Sequence, residues 1–235
     1  MRNILMAFWL TFAVLGCEKD DDDRIPDENY NPEINPANFG DEITNTYLPF
    51  VPGTVFTYMG NTDEGTEEGV VTVLQEKKTI AGVECTVVRD VVSLNGQVIE
   101  DTYDWFAQDL QGNVWYFGED VSNYENGVLQ DKEGSFEAGA DGARPGIIML
   151  ADPVLELPYR QEYYFGVAED WGKVISKNHT VSTPAGTFTD CIKTVDWNAL
   201  ETDAPLEFKY YAPGVGLVKE EVEGTDEISE LTSVE

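Results

Sequence analysis

The side chains able to do chemistry in this chain are few in kind and many in number. There is 1 histidine, His179, against 45 Asp and Glu. A histidine zinc site or a Ser-His-Asp relay would have to use His179. It sits in "SKNHTVS", on an expected strand beside a turn, with no serine or cysteine in a nucleophile context. The sequence holds no G-x-S-x-G, H-E-x-x-H, Walker loop or dinucleotide fingerprint. It holds no calcium loop either; "NTDEGTEEG" comes nearest and reads as an acidic hairpin loop. No metal or cofactor is therefore expected. Carboxylates remain, and a glycosidase needs two of them across one sugar. Those set among aromatics are Asp104 beside Trp105, Glu119 after Trp115-Tyr116-Phe117, Glu162 before Tyr163-Tyr164, and Glu169-Asp170 before Trp171. Trp105, Phe106, Trp115, Tyr116, Tyr163, Tyr164, Tyr210 and Tyr211 form the expected ligand face, although strand aromatics equally suit cross-strand core pairs. Glu137, Asp141 and Arg144 stand just before the apolar run "IIML" (147–150). They suit either a structural ion pair or a pocket rim holding a polar group.

The elements that must position these residues are strands. From Pro49 onward apolar and polar residues alternate, with β-branched and aromatic types enriched. Asn95-Gly96 is the strongest hairpin signal, and Ala81-Gly82 and Gln111-Gly112 mark further turns. The second half can be laid over the first. Pro52 and Pro158, Ala81 and Ala185, Cys85 and Cys191, Ala107 and Ala212, and Gly112 and Gly216 share nearly one offset. The expected fold is all-β: an antiparallel meander of about ten strands, half-barrel or barrel-like, built from two five-strand repeats. Repeat one spans 48–120 and repeat two 154–225, within a β domain of 47–235. Between them, 121–153 is expected to be irregular. Its Ala-Gly-rich part, "FEAGADGARPGIIMLADP" (136–153), is expected to close one end of the domain. Cys85 and Cys191 are a possible disulfide or two small buried residues.

Residues 1–16 read as a signal segment, with one basic residue before the apolar run "ILMAFWLTFAVL". The run is too short to span a bilayer as a helix. "VLGC" then resembles the lipobox of bacterial lipoproteins, which implies acylation of Cys17 and a membrane held through that lipid. "EKDDDD" resembles the acidic tag that sends Bacteroidota-type lipoproteins to the surface of the outer membrane. The rest of 17–46, rich in Asp, Asn and Pro, reads as a flexible tether. The net charge of −31 argues against a nucleic-acid partner or electrostatic attraction to anionic lipid.

Three groups of segments taken together resemble a family of secreted bacterial proteins without assigned function. They are "ITNTYLPFVPGTVFTY", "VVRDVVSLNGQVIEDTYDWFAQDLQGNVWYFGED", and "EGSFEAGADGARPGIIMLADP" with "YRQEYY", "TPAGTFTDCIKT" and "KYYAPGVGLVKE". The C-terminal part is also similar to antiparallel half-barrel domains of periplasmic and outer-membrane proteins. The resemblance implies the fold and brings no activity. Three functions stay open: binding an apolar molecule, a glycan or an envelope protein; a carboxylate-based hydrolase; and a structural envelope module.

Overall fold

The computed structural model describes residues 29–201 and 203–235. The signal segment and Cys17 lie outside the described residues. No helix is long and apolar enough to cross a membrane among the described residues.

A short hairpin comes first, β1 (Ile43–Thr44) and β2 (Pro49–Phe50). Five long strands follow: β3 (Val55–Thr62), β4 (Gly65–Ile80), β5 (Val83–Leu94), β6 (Gln97–Gln108) and β7 (Val114–Glu125). Each pairs antiparallel with the next. The expected turns lie where the chain reverses, with Ala81, Asn95, Gly82 and Gly96 all at positive φ. Next come β8 (Val128–Asp131), β9 (Phe136–Glu137) and β10 (Arg144–Met149), all paired to β7. The second half holds β11 (Pro158–Arg160), β12 (Glu162–Tyr163), β13 (Asp170–Thr183), β14 (Gly186–Asn198), β15 (Glu207–Ala212), β16 (Gly216–Val222) and β17 (Ile228–Val234).

The main sheet has 15 strands, and its path runs β11-β13-β14-β15-β16-β17-β3-β4-β5-β6-β7-β10-β12. β11 and β12 sit at opposite ends of that path, yet only Gln161 separates them in the chain. The segment 158–163 thus pairs with β13 on one side and β10 on the other, and the sheet is nearly closed into a barrel. The approach is close. A Cβ on Gly146 would stand 2.4 Å from the Gln161 backbone, so no larger residue fits there. The β3-to-β7 order of the first half has a counterpart in β11-β13-β14-β15-β16 of the second.

The segment 121–153 differs from the irregular linker expected. It carries the end of β7 and all of β8, β9 and β10. The Ala-Gly run is a compact turn, with Gly139, Asp141 and Gly142 at positive φ and Gly139 N–H bonded to Ala143 O at 2.9 Å. The "IIML" run then continues as barrel wall, with Met149 fully buried and Ile148 and Leu150 packed on the core. The apolar end of the barrel is crossed by the β1–β2 hairpin instead. Asn45 Nδ2 donates to Gly112 O and Leu150 O, Gly214 N–H donates to Thr46 O, and Leu48 is buried.

The expected tether is likewise corrected from Tyr30 on. Tyr30 OH donates to Pro145 O at 3.0 Å, and Pro36–Asn38 forms a 3-10 turn capped by Asn35. Ile34 and Phe39 pack on an outer apolar cluster of Ile80, Val83, Cys85, Val87, Trp105, Ala107, Phe117 and Ala138. A few apolar side chains spaced along a polar segment suffice to dock it when a matching patch exists.

Candidate functional site

The barrel interior is the candidate site. Inward positions alternate along each strand, and on strand after strand they run from acid at one end to apolar at the other. On β6 the inward series is Glu100, Thr102, Asp104, Phe106; on β4 it is Glu67, Gly69, Val71; on β15 it is Glu207, Lys209, Tyr211. The registers align these gradients, with Asp104 opposite Val88 and Glu119, and Lys209 opposite Glu220.

A cavity of about 240 Å³ occupies this polarised interior. Leu48, Phe50, Phe56, Phe106, Ile148 and Leu217 line its apolar end. Phe50 and Phe106 rings lie 5.0 Å apart, and Phe106 stacks on Tyr116 at 4.9 Å. Carboxyls line the other end: Glu67, Asp90, Glu100, Asp104, Glu119, Glu162, Asp170 and Glu220. A second cavity of about 320 Å³ shares Glu119, Gln161, Glu162 and Asp170 with the first and adds Asp196 and Glu207. The shared residues form an acidic neck between the two spaces.

Burial governs how these carboxyls ionise. Desolvation pushes Glu100 up to about 7, against the hydrogen bond its Oε1 accepts from Thr102 at 3.0 Å. It pushes Asp104 up to about 7 as well, although Tyr116 OH donates to Asp104 Oδ1 at 2.6 Å. Glu220 rises to about 7 and Glu207 to about 8, each mainly through burial and each held down by Lys209. Asp90, Glu119 and Glu162 stand well above the ordinary range for the same first reason, with neighbouring carboxylates adding to it. Asp170 is raised as well, mainly by burial, and its carboxyl adds to the rise at Glu162.

Lys209 is the cation lining the cavity among the described residues. It is committed to Asp196 at 3.1 Å and Glu207 at 3.2 Å. Glu100 Oε2, Asp90 Oδ1 and Asp170 Oδ1 have no partner. No group of three or more His, Cys, Asp or Glu is placed to hold a metal ion among the described residues.

The candidates named from the sequence divide across the wall. Tyr116 lines the cavity. Trp105 and Trp115 lie on the outer face under the N-terminal segment. There Lys78 Nζ sits 3.2 Å from the Trp105 ring, and Trp115 Nε1 donates to Asp109. Glu137 pairs with Lys78 at 2.8 Å on that same side. Asp141 is an exposed turn residue, and Arg144 is spent on Asn31 Oδ1, Gly142 O and Ala143 O. Tyr163 stacks over buried Arg160, with Tyr30 beside it, and Tyr164 packs on the core. Tyr210 faces outward to Glu221 and His179, while Tyr211 lines the cavity. His179 is half-buried and bonded to Ser176 Oγ at 2.6 Å.

Of the acids flagged beside aromatics, Asp104, Glu119, Glu162 and Asp170 all meet in the cavity, whereas Glu169 pairs with Arg160 at 3.4 Å. Sequence reasoning missed Glu100, Asp90 and Glu220. The signal that could find them is an acid at every second position facing the apolar parity of its own strand. Cys85 and Cys191 are both free and both buried. Cys85 belongs to the outer cluster and Cys191 to the core, so the possible bridge does not form. Each thiol fills an apolar niche.

No family of proteins matches this sequence, and no curated protein does. Two solved structures are similar in fold. One is a protein of Bacteroides fragilis assigned as exported, with a YmcC-like fold; it has 18% identity and a TM-score of 0.46 over 81% of this chain and 99% of its own. The other is assigned as a lipoprotein of Parabacteroides distasonis, with 16% identity and a TM-score of 0.42 over 81% and 99%.

Proposed function

We propose that this is a lipid-anchored protein of the bacterial cell envelope whose barrel holds a small ligand in its interior. The supporting observation is the cavity itself, apolar at one end and lined at the other by buried carboxyls with unpartnered oxygens. A barrel built only for stability would fill this space with side chains. The Gly16-Cys17 pair after an apolar run supports the anchor, and the acids that follow support the outer face of the outer membrane. Native mass spectrometry of the purified protein tests the ligand reading. A bound small molecule released on denaturation is expected; an empty barrel that also fails to take up a fluorescent hydrophobe refutes it. A fatty-acid probe tests the anchor: label should be lost in Cys17→Ala.

One observation favours a second reading, a carboxylate-based hydrolase. Asp104 and Glu119 lie directly opposite each other on β6 and β7, both carry raised pKa values, and both line the cavity. Turnover of a glycoside that disappears in both Asp104→Asn and Glu119→Gln would establish it. The matching strand order of the two halves also supports one duplicated unit. Superposition should then pair Ala81 with Ala185 and Ala107 with Ala212.

A further inference from the structure

From the two ends of the cavity, we infer that its ligand is a small organic ammonium with an apolar body, its charge seated at the acidic end that Glu100, Asp90 and Asp170 help to line. This rests on the ligand-binding reading above and names the ligand's class. Unmet acceptors mark the acidic end. Glu100 and Asp170 are each 5% exposed, line the cavity, and carry an oxygen with no hydrogen-bond donor. Asp90 adds a third such oxygen. An ionised carboxylate only accepts hydrogen bonds, so a partner for it must donate.

Among the described residues no cation besides Lys209 lines the cavity. Lys209 is already shared between Asp196 and Glu207. With one counter-ion among them these buried acids tend to keep their protons, and a ligand that brings positive charge favours their ionised form. A neutral sugar would offer hydroxyl donors and leave the charge uncompensated. A bare metal ion is not matched either, since the described residues hold no suitable group of ligands. The apolar end states the rest of the ligand. Phe50, Phe56, Phe106 and Leu217 offer an apolar, largely ring-lined space. A cavity of about 240 Å³ limits the body to roughly one ring or a short alkyl chain.

The test uses two probes of one shape, 2-phenylethylamine as its ammonium ion and 2-phenylethanol, titrated calorimetrically into the purified full chain at pH 7.5. The ammonium is expected to bind at least about tenfold more tightly than the alcohol. Glu100→Gln and Asp170→Asn should each erase most of that preference while leaving the alcohol unchanged. Glutamine and asparagine keep the shape and an acceptor oxygen of the acids they replace and bring no charge into the wall, so both variants should fold. Equal affinity of the two probes, or a preference that survives both substitutions, overturns the ammonium assignment and leaves a neutral-ligand site. Failure of both probes overturns it too. The native mass spectrum then separates the cases: a co-purified neutral molecule saves the ligand-binding reading, and an empty barrel removes both.

Discussion

Glu100→Gln should stabilise the protein at neutral and alkaline pH. In the folded chain burial raises the Glu100 carboxyl from 4.5 to about 7. The unfolded chain releases that proton near the ordinary value. Between these two pH values the folded state therefore holds more protons than the unfolded one, and stability falls as pH rises. The loss begins near pH 4.5 and is complete just above pH 7. At about 1.4 kcal/mol per unit, the shift corresponds to roughly 3 kcal/mol of destabilisation above pH 7.5. Glutamine keeps an oxygen for Thr102 and carries no charge, so the variant should escape this loss. Urea unfolding at pH 5 and pH 8 measures it. Parent and variant should be nearly equal at pH 5, with the variant more stable by up to about 3 kcal/mol at pH 8. General repulsion in a chain of net charge −31 gives the parent a slope of the same sign. The difference between the two proteins is therefore the informative quantity. Equal slopes would mean that Glu100 is solvated and ionises normally, and the account of a desolvated acidic interior would fall.

Arg160→Met should lower stability by about 3–5 kcal/mol, because it leaves the fully buried Glu169 without its cation. Thermal melts should show the loss, and much of it should return in Arg160→Met with Glu169→Gln; a single variant that melts like the parent refutes the buried pair. Gly146→Ala should cost more than about 1 kcal/mol by forcing β10 from the Gln161 backbone, and hydrogen exchange should show the loosening along β10 and 158–163. Cys85 and Cys191 should resist a thiol reagent in the folded protein and react after unfolding without reductant, because burial raises both thiols, Cys85 to about 12. A chain that stays unreactive until reduced would show a disulfide.

The strands and their turns were legible because backbone chemistry is local. Asn95-Gly96 and Ala81-Gly82 carry their turns in two residues. The faces were harder to read. Trp105 and Phe106 are adjacent, equally apolar and both buried, yet one lies outside the wall and the other inside. Two circumstances hide the difference. The outer face is itself covered by Ile34 and Phe39, and the β6–β7 register shifts between Asp104 and Phe106. Hydrophobic parity alone cannot separate two covered faces. The docking of 30–46 was illegible for a related reason. Its apolar side chains follow no period, and the patch they meet exists only once distant strands have assembled. Asp104, Glu119, Glu162 and Asp170 could be picked out by their aromatic neighbours, but their convergence depends on closure across Gln161.

The seam between the two halves bears on how this protein is made. β3 begins the long strands, and its partner across the seam is β17, the last strand described. Val55 and Glu235 exchange both backbone hydrogen bonds. Until β17 emerges, β3 has an open edge, able to template pairing with any neighbouring chain. The wall cannot be completed piecemeal from the N-terminus, and contacts of such long separation form slowly. A chain that has made β3 but not yet β17 thus carries an unsealed, adhesive half-sheet, and this is the interval in which it is most prone to aggregate.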